Sequence, residues 1–411
     1  LHADAEEAIW FTQSFVLGTT LTLLLIGRIT DIFGRIRVYN LGFIIFTVGS
    51  ALTSLSQDPL QVIIFRGIQG FGSAALFANS VSIIVDSTPR KELGFSLGLN
   101  QIAFRFGAMA GLTISGMILS ILDWRALFYI NIPIGIFGTI WSHARLKEVA
   151  KLERGAPVDW IGFATFTASL GSFLLALTFS AYGTLHETSV YVLLFISAVS
   201  LLFFVLYERR CEYPLLDLTL FGSRQFTGGI VALMLNAMAW GAVLLVLSLY
   251  FQLVQGLTPF QAGIRIIPVD IAFLLVGPLS GRLSDRFGQK PFTTVGIILT
   301  SLALFLFSRT GVGTPYPDLV VFMALLGAGV GAFSSPNISS IMNAVPAHRR
   351  GIASAVRATL FNVGFALSLN ITILLMAAVM PFNSITEIII APDVSLIPDL
   401  DRQLFVHSLQ N

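Results

Sequence analysis

The chain has 411 residues, of which 55% are hydrophobic and 11% are charged, and its formal net charge is +2. Soluble globular proteins carry about 25% charged residues, so this composition excludes a large soluble enzyme. The small net charge gives no reason to expect a nucleic-acid partner. The single cysteine, Cys211, excludes an internal disulfide and a cysteine-cluster metal site, and no metal site is predicted.

Twelve apolar runs follow one another along the chain, each about as long as the 20 residues that cross a bilayer as a helix. Only helices and closed barrels satisfy every backbone polar group inside lipid, so runs of this length predict an all-α polytopic membrane protein. The runs lie near residues 8–27, 37–56, 60–86, 95–119, 125–143, 158–180, 189–208, 226–251, 262–281, 291–308, 317–341 and 350–379.

Basic residues mark one side of the predicted membrane. Most of the 24 lysines and arginines lie in alternate loops, such as those that hold Arg35 and Arg282. The opposite loops and the tail hold only Arg125, Arg309 and Arg402. Because loops rich in lysine and arginine stay in the cytoplasm, we predict a multi-pass protein of the cell membrane whose basic loops are cytoplasmic.

A short basic string occurs twice, as GRITDIFGR at 27–35 and as GRLSDRFGQ at 281–289. The similarity extends beyond the strings, so that runs 1–4 correspond to runs 9–12. An internal repeat in a membrane protein indicates two similar halves, which is the architecture of a secondary transporter. The shared positions are Gly27, Arg28, Asp31 and Gly34 in the first copy and Gly281, Arg282, Asp285 and Gly288 in the second.

These strings predict a gate between the two halves. Their first glycines allow helices to approach closely, and their last glycines suit a tight turn with positive φ. Asp31 and Asp285 can accept hydrogen bonds from backbone donors at a helix end, or pair with an arginine of the other half. Arg35 and Asp86 belong to the same predicted gating set. The alternative is that these loops only turn the chain and set its topology.

The repeat also predicts the domain organisation. Nothing in the chain corresponds to a first helix of the first half or to a last helix of the second half, and runs 6 and 7 lie between the halves. We therefore expect two six-helix halves plus two extra helices, with the first and last of fourteen spans missing from this chain. The predicted domains are residues 1–143, 144–225 and 226–411, the last with an outward-facing tail.

One acidic residue, Asp270, lies deep inside a run, where an ionised side chain costs about 2.5–3.5 kcal/mol or more and is a functional candidate by default. A buried carboxyl that binds and releases protons would suit proton or substrate coupling. The alternatives are a structural pair with a buried arginine, which would keep Asp270 ionised, and a water-lined position without a role.

Arginines and glycines inside the runs supply the other candidates. Arg66 and Gln69 are one helical turn apart and share a face, whereas Arg105 and Arg357 lie in separate runs. Each is either a coupling group or a structural donor, and Arg357 could reach the membrane surface instead. An excess of arginine over acid also makes an anionic or neutral substrate an open alternative. A small-residue face for helix packing, or a hinge or proton seal, is formed by Gly107, Gly111 and Gly116.

The chain resembles the major facilitator superfamily and, within it, the fourteen-span drug:proton antiporters. The resemblance rests on both basic strings and on RGIQG at 66–70, DWRALFYINIPIG at 123–135 and VDWIG at 158–162. It implies the two-half fold, proton-coupled export by alternating access, and a part in proton coupling for Arg66. The antiporter pattern GxxxGPxxGG differs here, because Leu112 replaces the proline and Ser115 replaces a glycine.

We therefore predict a membrane transporter and not an enzyme, because no catalytic arrangement and no nucleotide-binding loop occurs in the sequence. A proton gradient would supply the energy, and no cofactor is expected. The expected partners are the lipid bilayer, protons and a small amphipathic substrate such as a drug. Two alternatives remain, a narrow-specificity transporter of one anionic or neutral metabolite and a non-transporting membrane sensor or scaffold.

Overall fold

A computed structural model describes residues 5–149, 155–182, 187–311 and 313–377, and within these residues the regular elements are helices. The first seven α-helices are α1 (Ala5–Phe33), α2 (Arg35–Ser54), α3 (Pro59–Ser87), α4 (Leu93–Ile121), α5 (Ala126–Tyr129), α6 (Asn131–Arg145) and α7 (Trp160–Tyr182). The others are α8 (Glu187–Glu208), α9 (Arg224–Leu249), α10 (Pro259–Phe287), α11 (Gln289–Phe307), α12 (Tyr316–Asn343) and α13 (Arg350–Ala377). The predicted tail beyond residue 377 lies outside the described residues.

Local sequence explains where several helices begin. Asp58 accepts a hydrogen bond from the Gln61 amide at 2.9 Å, and Pro59 opens α3, where its missing N–H costs nothing. Thr258 and Gln261 form a reciprocal capping box at the start of α10. These caps satisfy backbone donors that a helix end would otherwise leave unpaired.

The predicted runs and the observed helices agree, with one division. The run predicted near 125–143 is split into α5 and α6, because Pro133 lacks the N–H that would bond back to Tyr129. Ten helices in the described part of the chain are long and apolar enough to cross a membrane. Twelve spans were predicted, and α4 and α6 are the two runs outside this set; α6 has only 15 residues.

The internal repeat reappears in the helix packing. In the first half α3 packs against α1 and α2, and in the second half α12 packs against α10 and α11. The halves meet through two related helix pairs, α1 with α13 and α4 with α10. The two central helices, α7 and α8, pack on each other, and α7 also contacts α1 and α13. The predicted domain boundaries themselves remain a prediction.

Close helix packing within a half gives a test of the fold. A Cβ atom at Gly296 would lie 2.6 Å from the Phe333 amide nitrogen and 2.7 Å from the Gly329 carbonyl oxygen, both on α12. We expect Gly296→Ala to destabilise the protein by about 1–3 kcal/mol, because overpacking forces the backbone to shift. Thermal unfolding in detergent would measure this. Gly263→Ala is the control, since the described residues leave open space there, and an equal effect of both would contradict the packing.

Candidate functional site

Asp31, at the end of α1, joins the two halves through backbone hydrogen bonds. Its two carboxylate oxygens accept the amide N–H groups of Gly351 and Ile352, each at 2.9 Å. These amides open α13 in the other half, and a helix N-terminus favours a negative charge because its first N–H groups have no partner within the helix. The Asp31 side chain is buried, so these bonds are closed to water. We call this set the Asp31 contact.

An ion network surrounds the Asp31 contact. Arg35 lies 3.4 Å from Asp31, pairs with Asp86, and donates to the Ala347 carbonyl oxygen at 2.8 Å. Asp86 also accepts a hydrogen bond from Arg350 at 2.8 Å. Because Asp86 lies on α3 and Arg350 begins α13, this second ion pair crosses between the halves.

Asp285, at the end of α10, makes the corresponding contact in the second copy. Its oxygens accept the amide N–H groups of Gly94 and Phe95 at 2.8 and 3.0 Å, at the start of α4. The Ser335 hydroxyl donates to the Gly94 carbonyl oxygen at 2.5 Å. We call this set the Asp285 contact. Where the first string has Arg35, the second has Gln289, so the two contacts differ in their charged surroundings.

The string glycines have the geometry that their positions require. Gly34 and Gly288, between consecutive helices, have φ values of 110° and 87°, which L-residues with a side chain rarely adopt. A Cβ atom at Gly27 would lie 2.5 Å from the Ala355 Cβ atom of α13, and one at Gly281 would collide with the Gly94 carbonyl of α4. Each string therefore lies directly against the other half. Arg282 of the second copy lies 6.0 Å over the Phe95 ring.

A second inter-half pair lies deeper, between Arg105 of α4 and Asp270 of α10. The guanidinium and carboxylate are 3.5 Å apart, and both side chains are mostly buried. The guanidinium also lies 3.9 Å over the Trp240 ring of α9 and 4.5 Å over the Phe273 ring of α10. This arrangement combines one charge pair with aromatic faces, so it can bind an amphipathic molecule through stacking and ionic contacts.

Arg66 and Gln69 form a separate cluster inside the first half. Arg66 donates to the Phe11 carbonyl oxygen at 2.9 Å and to the Gln69 side-chain oxygen at 2.7 Å. Gln69 in turn donates to the Ser50 hydroxyl at 2.6 Å. Arg66 and Gln69 together therefore connect α1, α2 and α3, and within the described residues no hydrogen bond or ion pair joins Arg66 to Arg105 or Asp270.

Arg357 and the glycines of α4 are the remaining predicted site residues. Arg357 does not extend to the surface: only 6% of it is exposed, and its Nε atom has no hydrogen-bond partner among the described residues. Its neighbours along α13, residues 351–359, are buried as well. A Cβ atom at Gly107 or Gly111 would meet nothing within 4 Å in the described part of the chain, so no helix packs on that face here. The surroundings of Gly116 lie outside the described side chains.

The second half shows what such a glycine face can do. Gly364 corresponds to Gly107 in the repeat, and a Cβ atom there would lie 2.6 Å from the Met234 carbonyl oxygen of α9. Ser368 corresponds to Gly111 and accepts a hydrogen bond from the Ala242 amide of α9 at 2.7 Å. In the second half, this face therefore packs against α9, the helix that precedes α10 and its basic string.

Sequence reasoning missed two residues of the site. It treated Arg350 only as a basic loop residue and did not single out Trp240 among the aromatic residues. The repeat was a usable indication for Arg350, since it aligns the starts of α4 and α13. No local pattern marks Trp240, because its contact with Arg105 joins residues of different halves.

Comparisons with known proteins agree with this architecture. A family model described as the Major Facilitator Superfamily matches residues 1–369. The riboflavin transporter RibZ of Clostridioides difficile is 31% identical over 364 residues, covering 89% of this chain and 78% of the relative. The multidrug resistance protein Stp of Mycobacterium tuberculosis is 29% identical over 372 residues, covering 89% and 68%. The crystal structure of the human organic anion transporter MFSD10 superposes with a TM-score of 0.65 at 15% identity, covering 98% of this chain and 82% of that one.

Proposed function

Because this chain belongs to the major facilitator superfamily, it is a secondary transporter of small molecules, and we propose that it exports small amphipathic compounds in exchange for protons. The observation that carries the proposal is the Arg105–Asp270 pair, held between the two halves against Trp240 and Phe273. A carboxyl that is paired in one state and free in another changes its proton affinity between the states. That change couples proton binding to a change of access.

We assign the gating role to the Asp31 and Asp285 contacts. Both place a carboxylate of one half on a helix N-terminus of the other, so both must break before that end of the molecule can open. With basic loops in the cytoplasm, these contacts close the cytoplasmic side of a protein in the cell membrane. The Asp285 contact has fewer charged partners, and we propose that it breaks first.

Arg66, Gln69 and Arg357 take supporting roles in this proposal. Arg66 and Gln69 would orient α1 against α3 and take part in proton coupling, as the family pattern at 66–70 implies. Arg357, buried on α13, would lie on the route between the Asp31 contact and the central site. The likeness to multidrug resistance proteins, together with the central helix pair α7 and α8, supports the fourteen-span antiporter type.

A second candidate is a narrow-specificity transporter of a neutral or anionic aromatic metabolite. It is favoured by the stacked, arginine-bearing central site and by the 31% identity to a riboflavin transporter. Planar rings stack on arginine and tryptophan faces, so a flavin-like molecule fits the same chemistry. The two candidates differ in the charge and breadth of the substrates that they accept.

Flux in proteoliposomes tests the proposed function. Proteoliposomes would contain the full-length protein, its Asp270→Asn variant or the exposed control Asp318→Asn. Each would be given an imposed pH gradient, with a cationic dye and riboflavin tested separately as substrates. We expect gradient-driven dye flux that Asp270→Asn reduces at least tenfold and Asp318→Asn leaves unchanged. Riboflavin flux without dye flux would support the second candidate. Full gradient-driven flux in Asp270→Asn would overturn the assignment of Asp270 as the coupling group.

A further inference from the structure

Two acidic side chains outside the transport site are buried together where α7 begins and α8 ends. Asp159 is 7% exposed and Glu208 is 4% exposed. One oxygen of each has a backbone partner: Asp159 Oδ1 accepts the Gly162 amide at 2.8 Å, and Glu208 Oε2 accepts the Leu216 amide at 3.4 Å. One oxygen of each carboxyl group is therefore held by a backbone N–H group.

The other two carboxylate oxygens lie beside one point of the backbone, at Gly162. Asp159 Oδ2 and Glu208 Oε1 have no hydrogen-bond partner among the described residues. A Cβ atom at Gly162 would collide with Asp159 Oδ2 and would lie 2.6 Å from Glu208 Oε1, so both oxygens flank the same point. Two buried acceptors that point at one place need a shared donor, since an unsatisfied buried oxygen costs about 1–3 kcal/mol.

The charge count identifies that donor. Among the described residues, Arg28 of the first string acts electrostatically on Glu208, the Tyr207 hydroxyl hydrogen-bonds to Asp159, and Cys211 lies close enough to interact with both acids. Within the described part of the chain, two ionised carboxylates beside one arginine leave a buried net charge of about −1, which is costly without compensation. One proton held between the carboxyl groups removes the excess charge and supplies the missing hydrogen bond.

We propose that Asp159 and Glu208 form a proton-binding site at the base of the central helix pair, and that its occupancy controls the Asp31 contact. The site is distinct from the central Arg105–Asp270 pair and lies on the side of the basic strings, where Arg28 of the first string acts on Glu208. Its ligand is a single proton, taken from the solution on that side.

Two physical connections join this site to the gate. Arg28 precedes Asp31 by three residues on α1, so the two side chains share a helix face. The second connection runs through the segment that follows α8: Leu216 is bonded to Glu208, and Asp217 pairs with Arg349, the residue before Arg350. A change of charge at the carboxyl pair therefore acts on both sides of the Asp31 contact.

The direction follows from the packing. With the shared proton bound, the site is neutral, which suits the burial of Asp159 and Glu208 while the Asp31 contact is closed. Loss of the proton at higher pH leaves an excess negative charge that favours a hydrated, opened arrangement. Since one proton is linked, the open-to-closed ratio can rise by up to about tenfold per pH unit.

A distance measurement tests this inference independently of transport. Spin labels at Arg37→Cys and Lys290→Cys, two exposed positions on opposite halves, report opening of the full-length protein. Every variant carries Cys211→Ser, and because Cys211 lies beside the carboxyl pair, the labelled protein without further changes is the reference for each comparison. We expect the long-distance population to grow from pH 6 to pH 8. Asp159→Asn and Glu208→Gln each mimic the shared-proton form, so either one should hold the labels at the short distance at both pH values. Glu212→Gln, an exposed carboxyl in the same segment, is the matched control.

The inference rests on the gating role proposed for Asp31, and the two can fail separately. Asp31→Asn in the same labelled protein should lengthen the distance at every pH, and if it does not, the gating role is wrong. If Asp31→Asn lengthens the distance while both neutral variants keep the full pH response, the Asp159–Glu208 site is wrong. Size-exclusion profiles establish that each variant is folded. Asp159→Asn and Glu208→Gln test the same site independently, so the test can still be made if one of them does not fold.

Discussion

Asp31→Asn is expected to speed hydrogen exchange at the Gly351 and Ile352 amides by about 10–150-fold. Asparagine keeps the size of the side chain but loses its charge and one of its two acceptor oxygens. A buried hydrogen bond to a charged acceptor contributes about 1.5–3 kcal/mol, and this difference sets the expected factor. Arg35 and Arg350 would then share Asp86 as their remaining acid, which weakens the closed state further.

Hydrogen–deuterium exchange with mass spectrometry measures this effect peptide by peptide. The matched control is Asp285→Asn, which should speed exchange at Gly94 and Phe95 and leave Gly351 and Ile352 protected. We expect the smaller effect from Asp285→Asn, because that contact lacks the ion network. Equal acceleration at both helix starts in either variant would mean that the contacts open as one unit, and unchanged exchange in both would show that neither carboxylate holds the halves together.

Arg105→Gln is expected to reduce transport about a hundredfold and to lower stability by about 3 kcal/mol. The substitution removes one partner of a mostly buried ion pair and leaves Asp270 uncompensated between the halves, a loss that commonly costs about 3–5 kcal/mol. It also removes the cation that stacks on Trp240 and Phe273, so substrate binding loses its platform.

A double-mutant cycle separates the ion pair from these other effects. The variant Arg105→Gln/Asp270→Asn contains no charge at this place, so it should be more stable than Arg105→Gln alone while remaining inactive. Arg125→Gln is the control, since its pair with Asp123 is more exposed than the Arg105–Asp270 pair. It also loses a hydrogen bond to the Ser56 carbonyl oxygen, so we expect a smaller loss of thermal stability than in Arg105→Gln. Additive losses in the cycle would show that Arg105 and Asp270 do not interact in the protein.

Much of the fold could be predicted because it is encoded locally and repeated. The apolar runs correspond to helices since each run must satisfy its own backbone in lipid, and the glycines of the strings occupy turns that only they adopt easily. The split at Pro133 was missed because hydrophobicity alone does not record where a backbone donor is absent. The family followed from motifs whose residues lie within a few positions of each other.

Sequence patterns were sufficient to predict the helices, the two-half repeat, the residues of both strings and the candidates Asp270, Arg66 and Arg105. The partners of these residues depend on how the helices pack. The packing places Asp31 at the start of α13, pairs Asp270 with Arg105 and buries Arg357, and among the described residues it leaves Gly107 without a neighbour. The physical reason is that these contacts join residues of different helices, where packing between the halves, and not chain spacing, decides which charge, amide or ring lies within reach.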